Sequence, residues 1–131
     1  MSLDFMLFDS SLGSTLPGEP SAAVSEPSYW FLYPFFESLS DLTGQMADIY
    51  GYAEFKGGAR NTLLAMIGQA EDVVGRQPEE WLLCTGRRTG VDAGPIFERI
   101  QRTELLSTLA ALRDLVVAAI ACGVEVHAVG D

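Results

Sequence analysis

The sequence predicts an α+β fold: a single domain over residues 1–131, in which three helices pack a mixed five-stranded sheet in the order β-α-β-α-β-β-α-β. Three observations lead to that expectation. Five short apolar or alternating runs have strand length, three longer stretches repeat apolar residues at helical spacing, and Gly or Pro punctuates most of the boundaries. A chain of 131 residues that is 48 % hydrophobic can also fill one core without disulfides.

In chain order, Leu3 to Phe8 reads as a first strand, apolar on both faces. Residues 9–28 carry Pro17, Gly18, Pro20 and Pro27 and read as one long loop, a length that suggests a functional or mobile segment. Tyr29 to Phe36 holds six aromatics in eight positions. Pro34 suits the first turn of a helix, so a helix is expected from Pro34 to Thr43, with Gly44 as its stop. Gln45 to Lys56 alternates like a strand: Ala47, Ile49, Gly51, Ala53 and Phe55 lie on one side, Met46, Asp48, Tyr50, Tyr52 and Glu54 on the other.

A second helix is expected from Ala59 to Arg76, because residues 63, 66, 67, 70, 73 and 74 form one apolar stripe, and Pro78 closes it. Trp81–Thr85 and Ile96–Ile100 read as a hairpin around the glycine-containing turn 86–95. Thr103 is placed to cap a third helix that runs to Cys122 and stops at Gly123. Leu109, Leu112, Val116 and Ile120 share one face of it, and from Leu115 onward it is apolar nearly all round. Val124 to Val129 is the last strand, and the third helix is long enough to return the chain in a right-handed parallel crossover.

Charge excludes several functions. Eighteen acidic residues against eight Lys and Arg give a net charge of −10, which opposes nucleic acid and anionic membrane surfaces alike. Cys84 and Cys122 sit far apart in apolar runs and read as free, buried thiols. No basic-then-apolar leader is expected at the start, and Leu105–Cys122, interrupted by Arg113 and Asp114, falls short of a clean membrane span. These features point to a soluble cytoplasmic protein.

Chemistry-bearing motifs are sparse. No phosphate loop or dinucleotide fingerprint is present, and a lone histidine with two isolated cysteines offers no metal-ligand spacing. No catalytic residue, metal or cofactor is therefore assigned. Arg87 and Arg88, within Thr85-Gly86-Arg87-Arg88-Thr89-Gly90, form a possible anion site, although such a stretch is more often a solvated hairpin tip. His127 shares a strand face with Glu125 and reads as a surface or half-buried histidine. Residues 1–55 hold eight acidic side chains and no Lys or Arg, whereas the remainder holds ten acidic and eight basic. A charge run is commonly a solvated face. Here the acidic half also contains the aromatic run and the stripe Asp48, Tyr50, Tyr52 and Glu54, and carboxylates beside aromatics suit the docking of a basic protein. The candidate binding residues are Tyr29, Trp30, Tyr33, Asp48, Tyr50, Tyr52 and Glu54.

The phrases Tyr29-Trp30-Phe31-Leu32-Tyr33-Pro34, Trp81 with Gly86, and Val129-Gly130-Asp131 resemble a family of small uncharacterised bacterial α/β proteins. That resemblance implies no activity. In size and charge alone, the chain is also similar to immunity proteins that neutralise basic toxins. Three functions follow as expectations: a non-catalytic binding module of immunity type for a basic partner; a small enzyme or ligand-binding protein with a pocket under the 9–28 loop; or a structural homodimer subunit.

Overall fold

Leu3, Phe5 and Leu7 alternate with Asp4, Met6 and Phe8, and the chain there forms strand β1 (Ser2–Asp9), whose Leu3/Phe5/Leu7 side is buried. The computed structural model describes residues 1–15, 21–91 and 93–131. Along one edge of β1 lie two short strands, β2 (Ser14–Thr15) and β3 (Ser21–Ser25). The helix α1 (Glu26–Thr43) follows, then β4 (Tyr52–Phe55), α2 (Gly58–Gly75), β5 (Glu80–Arg88), β6 (Gly94–Gln101), α3 (Arg102–Cys122) and β7 (Glu125–Gly130). β7 pairs with the other edge of β1, from Leu3 opposite Gly130 to Phe8 opposite Glu125, and β4 pairs with the far side of β7.

The α+β class and the three helices agree with the sequence; the sheet does not match in detail. Both sheets are antiparallel, one of five strands and one the separate hairpin β5–β6, so the mixed sheet and the parallel crossover are corrected. The reason lies in β7: both of its hydrogen-bonding edges are occupied, by β1 and β4, which leaves no place for β6 beside it.

Residues 9–28 are not one loop. β2 and β3 lie within them and α1 begins at Glu26, while Leu16 to Pro20 fall outside the described residues, as does Asp92 in the hairpin turn. Pro27 is a first-turn proline, where no backbone N–H is required, and not a breaker. Pro34 sits inside α1 on its exposed side, where the carbonyl it leaves unpaired can face water. Gly44 ends the helix as expected, in the left-handed region at φ 75°.

The strand expected over 45–56 is confined to Tyr52–Phe55, because Asp48 to Gly51 closes a turn: Gly51 N–H donates to the Asp48 carbonyl (3.0 Å) and Tyr50 N–H to Asp48 Oδ1 (2.8 Å). The alternation nevertheless holds, with Ala47, Ile49, Ala53 and Phe55 all buried. Gln101, and not Thr103, occupies the N-cap of α3. Its C-terminus ends at Gly123 with Val124 N–H donating to the Ala119 carbonyl (3.0 Å), and Arg60 Nη1 reaches the Ala119 and Val124 carbonyls (3.1 and 2.8 Å).

One core runs through the molecule. The inner sheet face (Leu3, Phe5, Leu7, Val24, Ala53, Phe55, Val126, Ala128) meets Leu32, Phe36 and Leu39 of α1, Leu63 and Ile67 of α2, and Leu105, Leu109, Leu112 and Val116 of α3. Ile120 is only partly buried and Val117 is exposed, so the end of α3 is not covered all round. Among the described residues α3 is the one helix long and apolar enough to cross a membrane, a test that a core helix also passes. Both cysteines are free and exposed, not buried: Cys84 lies on the outer face of the hairpin and Cys122 in the last turn of α3.

Candidate functional site

The alternation that buries Leu3, Phe5 and Leu7 under the helices sends Asp4, Met6 and Phe8 to the opposite face of the sheet. Register does the rest. Met6 lies opposite His127, Phe8 opposite Glu125, and Asp4 opposite Val129, while on the other side of β7 Glu54 faces His127 and Tyr52 faces Val129. Among the described residues the helices pack on the other face of the sheet, yet His127 is 3 % exposed. Its ring is stacked on Phe8 at 4.0 Å between centroids, and Tyr52 meets it edge-on at 5.3 Å.

Both ring nitrogens of His127 have partners. Nε2 lies 3.1 Å from Glu125 Oε1, and Nδ1 contacts the Tyr52 hydroxyl. An ionised carboxylate can only accept, so the ring carries its proton on Nε2, and in the neutral ring Nδ1 accepts from the tyrosine. Burial, then the nearby Glu54 and Glu125 charges, push the Tyr52 hydroxyl pKa above its ordinary value. The phenol therefore stays protonated and acts as a donor, not as a general base. Glu54 completes the group: one donor atom each from Glu54, Glu125 and His127 lie within 4.8 Å of one another. Lys56 Nζ is 3.7 Å from Glu54 and mostly exposed.

The structure divides the candidates from the sequence. Tyr52 and Glu54 stand on this face, and Asp48 and Tyr50 belong to the turn that leads into β4, with Tyr50 exposed. Tyr29 does not belong to the site: it is fully buried, its hydroxyl donates to the Ala47 carbonyl (3.1 Å), and burial pushes its pKa up to about 12. Trp30 is half-buried against Tyr29, at 5.0 Å between ring centroids. Tyr33 is half-buried and lines a cleft of about 210 Å³ with Glu37, Ser40, Asp41 and Met46, on the α1 side of the molecule. Arg87 and Arg88 are exposed consecutive residues of β5; strand alternation sends them to opposite faces, which is poor geometry for one shared anion.

A larger cleft, about 470 Å³, lies beside β3 and the start of α3 and is lined by Ser25, Ser28, Thr103, Glu104, Ser107 and Thr108 with Ala23. No ring of the aromatic run lines it. Sequence reasoning paired His127 with Glu125 but missed Met6, Phe8 and the meeting of His127 with Tyr52 and Glu54, which depends on strands 75 residues apart in sequence.

No known family model matches the chain, and neither a curated protein nor a solved structure does.

Proposed function

We propose that the protein acts by binding and not by catalysis, docking a basic protein partner in the manner of an immunity-type inhibitor. One observation carries the reading: the sheet face without a helical layer gathers Asp4, Glu54 and Glu125 among Met6, Phe8 and Tyr52, with the exposed Tyr50 at its rim. Carboxylates among aromatics supply both electrostatic steering and a rigid contact area. Lys56 is the first cation in the sequence and is already held by Glu54. The same face is a poor self-dimer surface, since two copies would oppose like charges. A cytoplasmic setting fits the two free, exposed thiols.

The test is capture of partners from lysate at low and high salt, followed by association kinetics with the protein recovered. Asp48→Asn combined with Glu54→Gln removes two charges while the Asn oxygen keeps the turn bond to Tyr50 N–H. Association is expected to slow severalfold at low salt and to lose much of its salt dependence. Rates that are unchanged across a salt series would remove this face from consideration.

The second reading is a small polar ligand in the 470 Å³ cleft, whose volume is in the range of ligand sites and whose lining is mostly hydroxyl groups. A small molecule released from the purified protein on denaturation, and identified by mass spectrometry, would favour it.

A further inference from the structure

We propose that Glu54, Glu125 and His127 form a binding site for a divalent transition-metal ion, with zinc preferred by the chemistry of the donors. The inference goes beyond the partner reading and requires no partner. The register of two strands produces it: Glu54 of β4 is the cross-strand neighbour of His127, and Glu125 is two residues away on the same face of β7. One donor atom from each lies within 4.8 Å of the others.

The His127 Nε2 and Glu125 Oε1 atoms are 3.1 Å apart. Two ligands of one tetrahedral zinc, each with a bond of roughly 2.0–2.2 Å, stand roughly 3.4 Å apart, so this pair already has nearly the required spacing. The Glu54 side chain is 39 % exposed and has room to close on the same ion. An imidazole with two carboxylates suits zinc better than magnesium or calcium, which take oxygen ligands.

Electrostatics point the same way. Glu54 and Glu125 repel each other across the histidine, and among the described residues the one Lys or Arg within salt-bridge distance is Lys56, mostly exposed and touching Glu54 alone. A divalent ion between the carboxylates offsets both charges. The surroundings of the ring are also those of a metal ligand. Phe8 is stacked on the ring, and the Tyr52 hydroxyl meets Nδ1. When the metal takes Nε2, the ring proton moves to Nδ1 and is donated to the Tyr52 oxygen, so no proton is lost from the neutral ring. The Tyr52 proton then turns to Glu54. Three protein ligands, one of them the partly exposed Glu54, leave a fourth position for water, the pattern of an exchangeable site and not of a closed structural one.

The experiment is calorimetric titration of the full chain, free of any affinity tag, with zinc chloride. A Cys84→Ser/Cys122→Ser variant is titrated alongside, because both thiols are exposed. One equivalent is expected to bind in both proteins. Tyr52→Phe is a positioning change and should weaken binding roughly tenfold; Glu54→Gln and Glu125→Gln should weaken it further. Glu54 is partly exposed, so its variant keeps the fold even if a change at His127 does not, and circular dichroism checks this. Cobalt(II) in the same site should show tetrahedral bands without thiolate charge transfer. The proposal is overturned by an absence of saturable binding at millimolar zinc, by loss of binding in the cysteine-free variant, or by unchanged affinity in Glu54→Gln and Tyr52→Phe. None of these results bears on the basic-partner reading, which rests on the salt dependence of association.

Discussion

Tyr29 and Tyr52 show how one residue type takes opposite roles according to what surrounds it. Tyr29 is packed in the core, stacked on Phe36 at 5.5 Å and edge-on to Tyr33 at 6.0 Å, with its hydroxyl satisfied by the Ala47 carbonyl. Its pKa is pushed up to about 12 chiefly by burial. A phenol whose folded pKa lies above its unfolded value of 10.0 adds stability that is fully present below pH 10. That stability declines as the pH rises from 10 towards 12, because only the unfolded chain ionises there. Tyr29→Phe is therefore expected to cost about 1 kcal/mol at pH 7, the net worth of a buried hydrogen bond, and to flatten the alkaline fall in stability. Urea melts at pH 7 and across the alkaline range check both parts; a variant with an unchanged alkaline limb would assign that limb to another group. Tyr52, half out of the surface, instead spends its hydroxyl on His127.

At the scale of elements, the seating of the 48–51 turn on β7 decides where the β4 edge lies. Gly130 N–H donates to the Gly51 carbonyl (2.8 Å), and a Cβ at Gly130 would stand 2.3 Å from the Ile49 carbonyl group and 2.6 Å from the Asp48 oxygen. These are backbone atoms and cannot rotate away. Gly130→Ala should cost about 1–3 kcal/mol through displacement of the turn, and denaturant midpoints measure it. Wild-type stability would mean that the turn is not held against β7. α1 carries the complementary lesson. Ser25-Glu26-Pro27 marks its start as plainly as Pro34 suggested a later one, and the choice between two prolines depends on which side of the helix faces solvent. The aromatic run then divides by helical phase: Tyr29, Leu32 and Phe36 enter the core while Pro34 faces out.

For the molecule as a whole, the two sheets differ in how they are held. β1 is paired on both edges and buried on one face, whereas in the β5–β6 hairpin only Ile100 is fully buried and Leu82 and Phe97 are exposed. Isolated two-stranded hairpins are marginal in water, so this one depends on Trp81 and Ile100 packing against the body, where Trp81 meets Phe31 at 5.1 Å. Its strand amides near Arg88 and Gly94 should exchange with deuterium well before those of β1 and β7, by local opening. Mass-spectrometric exchange tests this, and equal protection in the two sheets would contradict it. The acidic imbalance is likewise a property of the whole: the chain carries −10, but β1, β4 and β7 concentrate Asp4, Glu54 and Glu125 on the face without helices.

The sequence by itself determined what local physics can specify. Apolar periodicity marked three helices and the alternation of residues 47–55, glycine marked two helix ends, and charge counting marked the acidic half. All of these depend on side chains near one another along the chain. Only the tertiary structure decided strand order, the separation of the hairpin from the main sheet, and the meeting of His127 with Tyr52, Glu54 and Phe8. Those depend on which edges of β7 are taken and in what register. A shift of one residue in either pairing would turn His127 away from its partners, and no local pattern in the sequence encodes that choice.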